Sequence, residues 1–139
     1  MAGAPAPAPV RRRTLLSHNV NGLSSRRKRL ALLGRVTPLM GAVVALQETH
    51  CPDDATAEAW LRQGTGAGRP WQGRGFWSHG TRNSRGVAIL LTPGFDGEDV
   101  AVEYTDAPEE AGGGDAGRLL RVGWREPLTA QRWSVVSAY

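Results

Sequence analysis

The sequence predicts an α/β domain, on three observations. Short apolar runs bounded by turn residues recur from Thr14 to the last residue, which is a strand pattern. Two longer segments among them carry helix start and stop signals. The run Val43-Val44-Ala45-Leu46 passes directly into Gln47-Glu48-Thr49-His50, four apolar residues followed by a carboxylate with polar neighbours. A strand buried on both faces has that composition. An unpaired carboxylate is costly to bury, so Glu48 is expected where the strand emerges, and ligand sites of layered α/β folds gather at such strand ends.

In order, the alternating Ala/Pro stretch Met1 to Val10 has no hydrophobic pattern and reads, with the start of the Arg11-Arg12-Arg13 run, as a disordered tail over residues 1–12. The arginines form a basic edge to the first strand, Thr14 to His18. The polar loop Asn19-Val20-Asn21-Gly22 opens a helix that Ser24 or Ser25 can cap. Leu30, Leu32, Leu33, Val36 and Leu39 give this helix its apolar face, Arg26 to Arg29 lie on its polar start, and Pro38 stops it. Basic residues at a helix N-terminus oppose the macrodipole, so phosphate contact, a solvated face and a nuclear-import tract are all open readings. Ala55 to Gln63, with acidic residues before it and Gly64 after it, spells a second short helix anchored by Trp60 and Leu61. Gly75 to His79 and Gly86 to Leu91 read as a hairpin around the turn Gly80 to Arg85. Val100 to Tyr104, Arg118 to Trp124 and Trp133 to Tyr139 supply the remaining strands, the last two joined through Glu126-Pro127. Ala107 to Gly117 is an acidic, glycine-rich loop.

The 139 residues suffice for one modest domain. A single cysteine excludes an internal disulfide and a cysteine-based zinc site, which fits a nuclear or cytoplasmic setting. Nothing in the chain approaches a membrane span, and no membrane partner is expected. The net charge of +4 and pI near 10.2 favour acidic partners, nucleic acid first, although GC-rich coding would raise arginine together with alanine, glycine and proline.

Read as chemistry, Glu48 offers oxygens suited to Mg²⁺ or Ca²⁺, with a helix cap or a surface salt bridge as the plain alternatives. Asn21 can orient a metal-bound water or ligate through its carbonyl oxygen; Asn19 can donate to a phosphate or a carboxylate. An Asx-turn ahead of a helix explains both asparagines without function. His18, His50 and His79 read as structural or exposed, and no base is placed to activate Cys51.

Five stretches in one order, Asn19-Val20-Asn21-Gly22-Leu23, Gln47-Glu48-Thr49-His50, Arg85-Gly86-Val87-Ala88-Ile89-Leu90, Gly117-Arg118 and Ser137-Ala138-Tyr139, resemble the endonuclease/exonuclease/phosphatase superfamily. The similarity is greatest to the apurinic-endonuclease-like domain of LINE-type retrotransposon reverse-transcriptase proteins. It spans Thr14 to Tyr139 and implies the first half of a deoxyribonuclease-I-like αββα sandwich, with residues 13–139 a truncated domain of this kind and a mixed sheet with flanking helices. It implies a metal-dependent DNA endonuclease that nicks a target site using Mg²⁺, or Mn²⁺ in its place. Glu48 and Asn21 would then stand at the metal, Asn19 and Tyr139 would be catalytic, and Arg82, Asn83 and Ser84 would contact DNA. Ordinary turn chemistry explains those last three equally well, and a strand aromatic explains Tyr139. The rest of a reverse-transcriptase polyprotein would be the natural partner.

The departures carry their own expectations. The family's Gly-Asp-x-Asn stretch is missing, since Asp115 follows a glycine but Gly117 stands where the asparagine belongs. No Asp-His pair follows either, so the water-activating base and the terminal histidine are not supplied. The expected chain is therefore an inactive fragment, with a non-enzymatic remnant of a truncated reading frame, or an abasic-site nuclease or other phosphoesterase of the superfamily, as alternatives. A single sheet with an uncovered inner face around Val43, Val87, Leu119 and Val135 is also expected, and with it partial unfolding, dimerisation or aggregation.

Overall fold

The computed structural model describes Gly3, residues 12–106 and residues 116–139. The Ala/Pro tail apart from Gly3 and Arg12, the acidic loop apart from Ala116 and Gly117, and Asp115 lie outside the described residues. The order is β1 (Leu15–Asn19), α1 (Arg26–Val36), β2 (Val43–Gln47), α2 (Asp54–Gln63), β3 (Arg74–Ser78), β4 (Val87–Leu91), β5 (Glu98–Thr105), β6 (Leu119–Arg125) and β7 (Arg132–Ala138). The fold is α/β with a mixed sheet and two helices. Among the described residues no helix is long and apolar enough to cross a membrane.

The strands form two sheets, β1-β2-β4-β3 and β5-β6-β7. β1 and β2 run parallel, and the other neighbours are antiparallel. β2 and β4 are buried on both faces because their alternate residues serve two cores. Val44, Leu46, Ala88 and Leu90 pack with Val20, Leu23, Leu33 and Val36 on the helical side. Val43, Val87, Ile89 and Leu91 pack with Leu120, Val122 and Trp124 of the second sheet. Each fully buried aliphatic side chain contributes about 1.5–3 kcal/mol, so these two strands anchor both layers.

This second core corrects the expectation of one uncovered sheet. Val43 and Val87 are 1% and 0% exposed because the second sheet covers them. Local alternation is the same whether strands join one sheet or two, so the sequence pattern alone did not separate the cases. What stays uncovered lies at the margins, at Leu15 of β1, on the same face as Val43 and 61% exposed, and at Trp133 of β7, opposite Trp124 and 52% exposed.

Ser25 caps α1, its hydroxyl accepting from the Lys28 amide, and Asp53 caps α2 through Thr56. α1 ends one turn earlier than its apolar pattern: Thr37 is its C-cap, and Leu39 lies beyond it and exposed. Arg29 also departs from the expected polar start. Its guanidinium is buried, donating to the carbonyls of Leu23 and Ser24 and to Gln63 Oε1, and lies 5.0 Å from the Trp60 ring centre. Burial, and then the nearby Arg26 charge, pull its pKa down. Arg29 is therefore a strut between the two helices, and Arg26, Arg27 and Lys28 are the solvent-facing part of the tract.

Candidate metal and phosphate site

Strand directions place the C-terminal ends of β1, β2, β3, β5 and β7 and the N-terminal ends of β4 and β6 at one end of the molecule. The five stretches singled out in the sequence meet there through backbone hydrogen bonds. Val20 N donates to Gln47 O (2.9 Å), Gly22 N to Glu48 O (2.6 Å) and Leu23 N to Thr49 O (2.9 Å). Thr49 N donates to Gly86 O, His50 N to Arg85 O and Gly86 N to Gly117 O, each at 2.9 Å. Tyr139 N closes the set on Arg118 O at 2.8 Å.

The backbone here is held in an unusual region. Asn21, Glu48, His50 and Arg85 all have left-handed φ, at 49°, 55°, 56° and 59°. Non-glycine residues adopt this region in only a few per cent of cases, and such outliers gather at functional sites. Two glycines permit the close approach. A Cβ on Gly22, at φ +86°, would stand 2.6 Å from His50 Nδ1, and one on Gly86, at φ +89°, 2.4 Å from Thr49 Oγ1. Thr49 is itself fully buried.

Glu48 lies one residue past β2, half-buried, where the chain emerges. Tyr139 stands beside Glu48, and that carboxylate, ahead of a small burial effect, raises the phenol's pKa against the lowering effect of Arg118. The Arg118 guanidinium lies over the Tyr139 ring, 5.7 Å from its centre. Asn19 Oδ1 accepts from Asn21 N at 3.0 Å, the Asx-turn anticipated as the plain reading, and this leaves the Asn19 amide hydrogens as its chemically useful end. Lys28 Nζ donates to the Asn21 backbone carbonyl at 3.0 Å, which brings a cation to the edge of the cluster.

Asn19, Asn21, Glu48 and Tyr139 are thus brought to one place. Arg82, Asn83 and Ser84 share the same end of the molecule but sit apart, exposed on the β3–β4 turn. That turn is stitched by Thr81 and Ser84: Thr81 N donates to Ser84 O at 2.8 Å and Asn83 N to Thr81 Oγ1 at 3.3 Å. Nearby, His79 Nε2 is 2.6 Å from Asp54 Oδ1, a pairing in space of residues far apart in sequence, and the His79 ring stacks on Trp77. Cys51 is buried, and burial pushes its thiol up to about 12, so it stays a thiol.

Sequence reading assigned no role to Ser137, Arg118 or Asp106. Ser137 Oγ donates to Leu46 O at 2.9 Å and accepts from Gln47 Nε2 at 3.2 Å, locking β7 to the end of β2 beside Glu48. Asp106 accepts from Ser78 Oγ and, at 2.9 Å, from Arg118 N. Burial works against its charge, but these hydrogen bonds hold its pKa below the ordinary aspartate value. Ser137 and Arg118 did stand inside the quoted stretches; Asp106 carried no signal, because its partners are set by sheet pairing.

The donor set suits a hard divalent cation of the Mg²⁺ type. Mg²⁺ is commonly held by one or two carboxylates, with waters and substrate phosphates completing the shell. Glu48 supplies the carboxylate and Asn21 an amide oxygen. Among the described residues no group of three or more His, Cys, Asp or Glu gathers to form a protein-only cage. A cation here would rely on substrate oxygens for much of its shell. Searches for similar proteins found no matching family model and no matching curated protein.

Proposed function

We propose that this end of the molecule is a Mg²⁺-dependent phosphodiester site of the endonuclease/exonuclease/phosphatase kind, acting on DNA, and that the two sheets with their helices belong to a deoxyribonuclease-I-like αββα sandwich. The observation that carries the reading is the backbone hydrogen bonding that ties the end of β2 at Glu48 to the Asn19–Asn21 turn, with left-handed backbone at Asn21, Glu48 and His50.

In this reading Glu48 and the Asn21 side-chain oxygen would hold Mg²⁺, or Mn²⁺ in its place, which supplies charge stabilisation at a phosphate oxygen. Tyr139 offers a phenol, kept protonated by the neighbouring Glu48, to a phosphate. Asn19 donates from its amide. Arg118 and Lys28 border the cluster with positive charge, and Arg82, Asn83 and Ser84 lie where a DNA backbone could run past the site. The base that would activate water is not among these groups, so metal-dependent DNA binding without strand cleavage is the expected behaviour of this chain.

The test is fluorescence anisotropy of a labelled DNA duplex with and without Mg²⁺. Mg²⁺ should tighten binding to the wild-type protein and not to Glu48→Gln, and a supercoiled plasmid should stay intact with both. Binding indifferent to Mg²⁺, or equal in the two proteins, would refute the assignment of Glu48.

A further inference from the structure

We infer that Arg29 is a positioning residue of the site around Glu48: from inside the helical layer it fixes the segment that carries Asn19 and Asn21. The inference rests on the cation site proposed above.

Arg29 NH1 donates to the carbonyls of Leu23 at 2.9 Å and Ser24 at 2.7 Å. Both carbonyls precede the N-cap Ser25, and the ladder of α1 begins with Arg29 N on Ser25 O at 3.1 Å. The helix's own bonds therefore pass them by, and the guanidinium takes them up. The strand end grips Leu23 on its other side, Leu23 N donating to Thr49 O while Gly22 N donates to Glu48 O. A single buried residue thus joins the turn at Glu48 and Thr49 to Arg29. Gln63, the last residue of α2, holds the far end of the fork, accepting from Arg29 NH2 at 2.8 Å.

The backbone upstream of Leu23 needs such an anchor. Asn21 lies at φ 49° and Gly22 at φ 86°. A non-glycine residue keeps a left-handed conformation only where its surroundings over-determine it. Asn19 Oδ1 on Asn21 N and Lys28 Nζ on Asn21 O act from the exposed side of the loop. Arg29, next in sequence to Lys28, acts from the core. Two neighbouring residues of one helical turn therefore hold the loop at three carbonyls, those of Asn21, Leu23 and Ser24.

A strut between helices does not by itself call for an arginine. The buried guanidinium meets three neutral oxygens and the Trp60 ring. Burial, and then the Arg26 charge, oppose its protonated form. An aliphatic side chain would fill the seam between α1 and α2 without the cost of burying a charge. It could not donate to two carbonyls and an amide oxygen at once. Lysine could not do so in the same plane either, since its ammonium is a point charge and the guanidinium a rigid fork.

The test follows Mn²⁺ binding to the full chain by broadening of amide NMR signals, with urea unfolding of each variant alongside. Arg29→Lys keeps the charge and loses the fork; it should weaken Mn²⁺ binding about tenfold, with the largest amide shifts at residues 21–24 and 49. Gln63→Leu leaves Arg29 in place and frees the far end of its fork, so a smaller loss is expected, and this variant decides the matter if Arg29→Lys does not fold. Val36→Ala, at a buried position of the same helix, should lower the urea midpoint and leave Mn²⁺ binding within about twofold. An equal loss of affinity in Val36→Ala, or wild-type affinity in both Arg29→Lys and Gln63→Leu, would overturn the role of Arg29 and leave Glu48 standing. A wild-type protein in which residues 19–22 and 48–50 do not broaden would overturn the cation site and this inference with it.

Discussion

The two ends of the paired sheets treat charge in opposite ways. At one end Arg13 makes a two-pronged contact with Glu126, Nε to Oε1 and NH2 to Oε2 at 2.9 Å each, and reaches Asp96 at 3.1 Å. Its guanidinium lies 4.4 Å from the Phe95 ring centre, and the Trp124 indole donates to the same Glu126. Burial opposes the Arg13 charge, but the bonds to Glu126 and Asp96 outweigh it and raise the pKa. At the other end Glu48 stands beside the neutral phenol of Tyr139 on a half-exposed loop, with its own backbone in the left-handed region. The contrast separates two uses of a carboxylate. Glu126 is matched in charge, shape and burial, which is how a fold closes on itself. Glu48 is presented by a constrained backbone on a half-exposed loop, as the proposed site requires.

The largest effect should come from breaking the matched end. Arg13→Ala takes the fork from the buried Glu126, which keeps the Trp124 indole. The loss should therefore fall below that of a wholly uncompensated buried charge, about 3–5 kcal/mol, and still be the largest here, about 2–3 kcal/mol. Urea unfolding should show that loss, with much of it recovered in Arg13→Met combined with Glu126→Leu. A double variant as unstable as the single one would mean that the pair is not the unit of stability.

A smaller effect is expected at the presented end. Gly86→Ala asks alanine to hold φ near +89° with its methyl against Thr49 Oγ1, which should cost about 1–3 kcal/mol. Because Gly86 N and O tie Gly117 to Thr49, the amide NMR signals of residues 48–50 and 117–118 should shift most. Shifts centred on Arg13 and Glu126 instead would blur the distinction between the ends.

How much of this was legible differs residue by residue. The β2 run and its terminal Glu48 were visible because burial on both faces demands an uninterrupted apolar stretch, and the carboxylate marks its exit. The convergence of Asn19, Asn21, Glu48 and Tyr139 was implied by resemblance, and the hydrogen bonds between their segments bring them together. Arg29 was not separable from Arg26, Arg27 and Lys28, because only helix packing decides which member of a basic tract turns inward. Arg13 reaches Glu126 across 113 positions, a pairing that no local pattern encodes. The division into two sheets was missed for the same reason.

The smallest stability effect belongs to Asp106, which bridges Ser78 and Arg118 near the presented end. Its folded pKa is depressed, so its contribution is fully present above the unfolded aspartate value of about 3.9 and is lost as pH falls through the folded value. Asp106→Ala should cost about 1 kcal/mol near neutral pH, and the difference from wild type should shrink below about pH 4. A difference that grows on acidification would reverse the sign and contradict the assignment.

The central claim, that Glu48 and its neighbours form a cation site, is tested most directly by paramagnetic broadening of amide NMR signals during titration with Mn²⁺. Broadening should begin at residues 19–22, 48–50 and 139, be reversed by excess Mg²⁺, and vanish in Glu48→Gln while that variant keeps its stability within about 0.5 kcal/mol. Broadening that begins at Asp53 and Asp54 or along β5, or that survives Glu48→Gln, would contradict it.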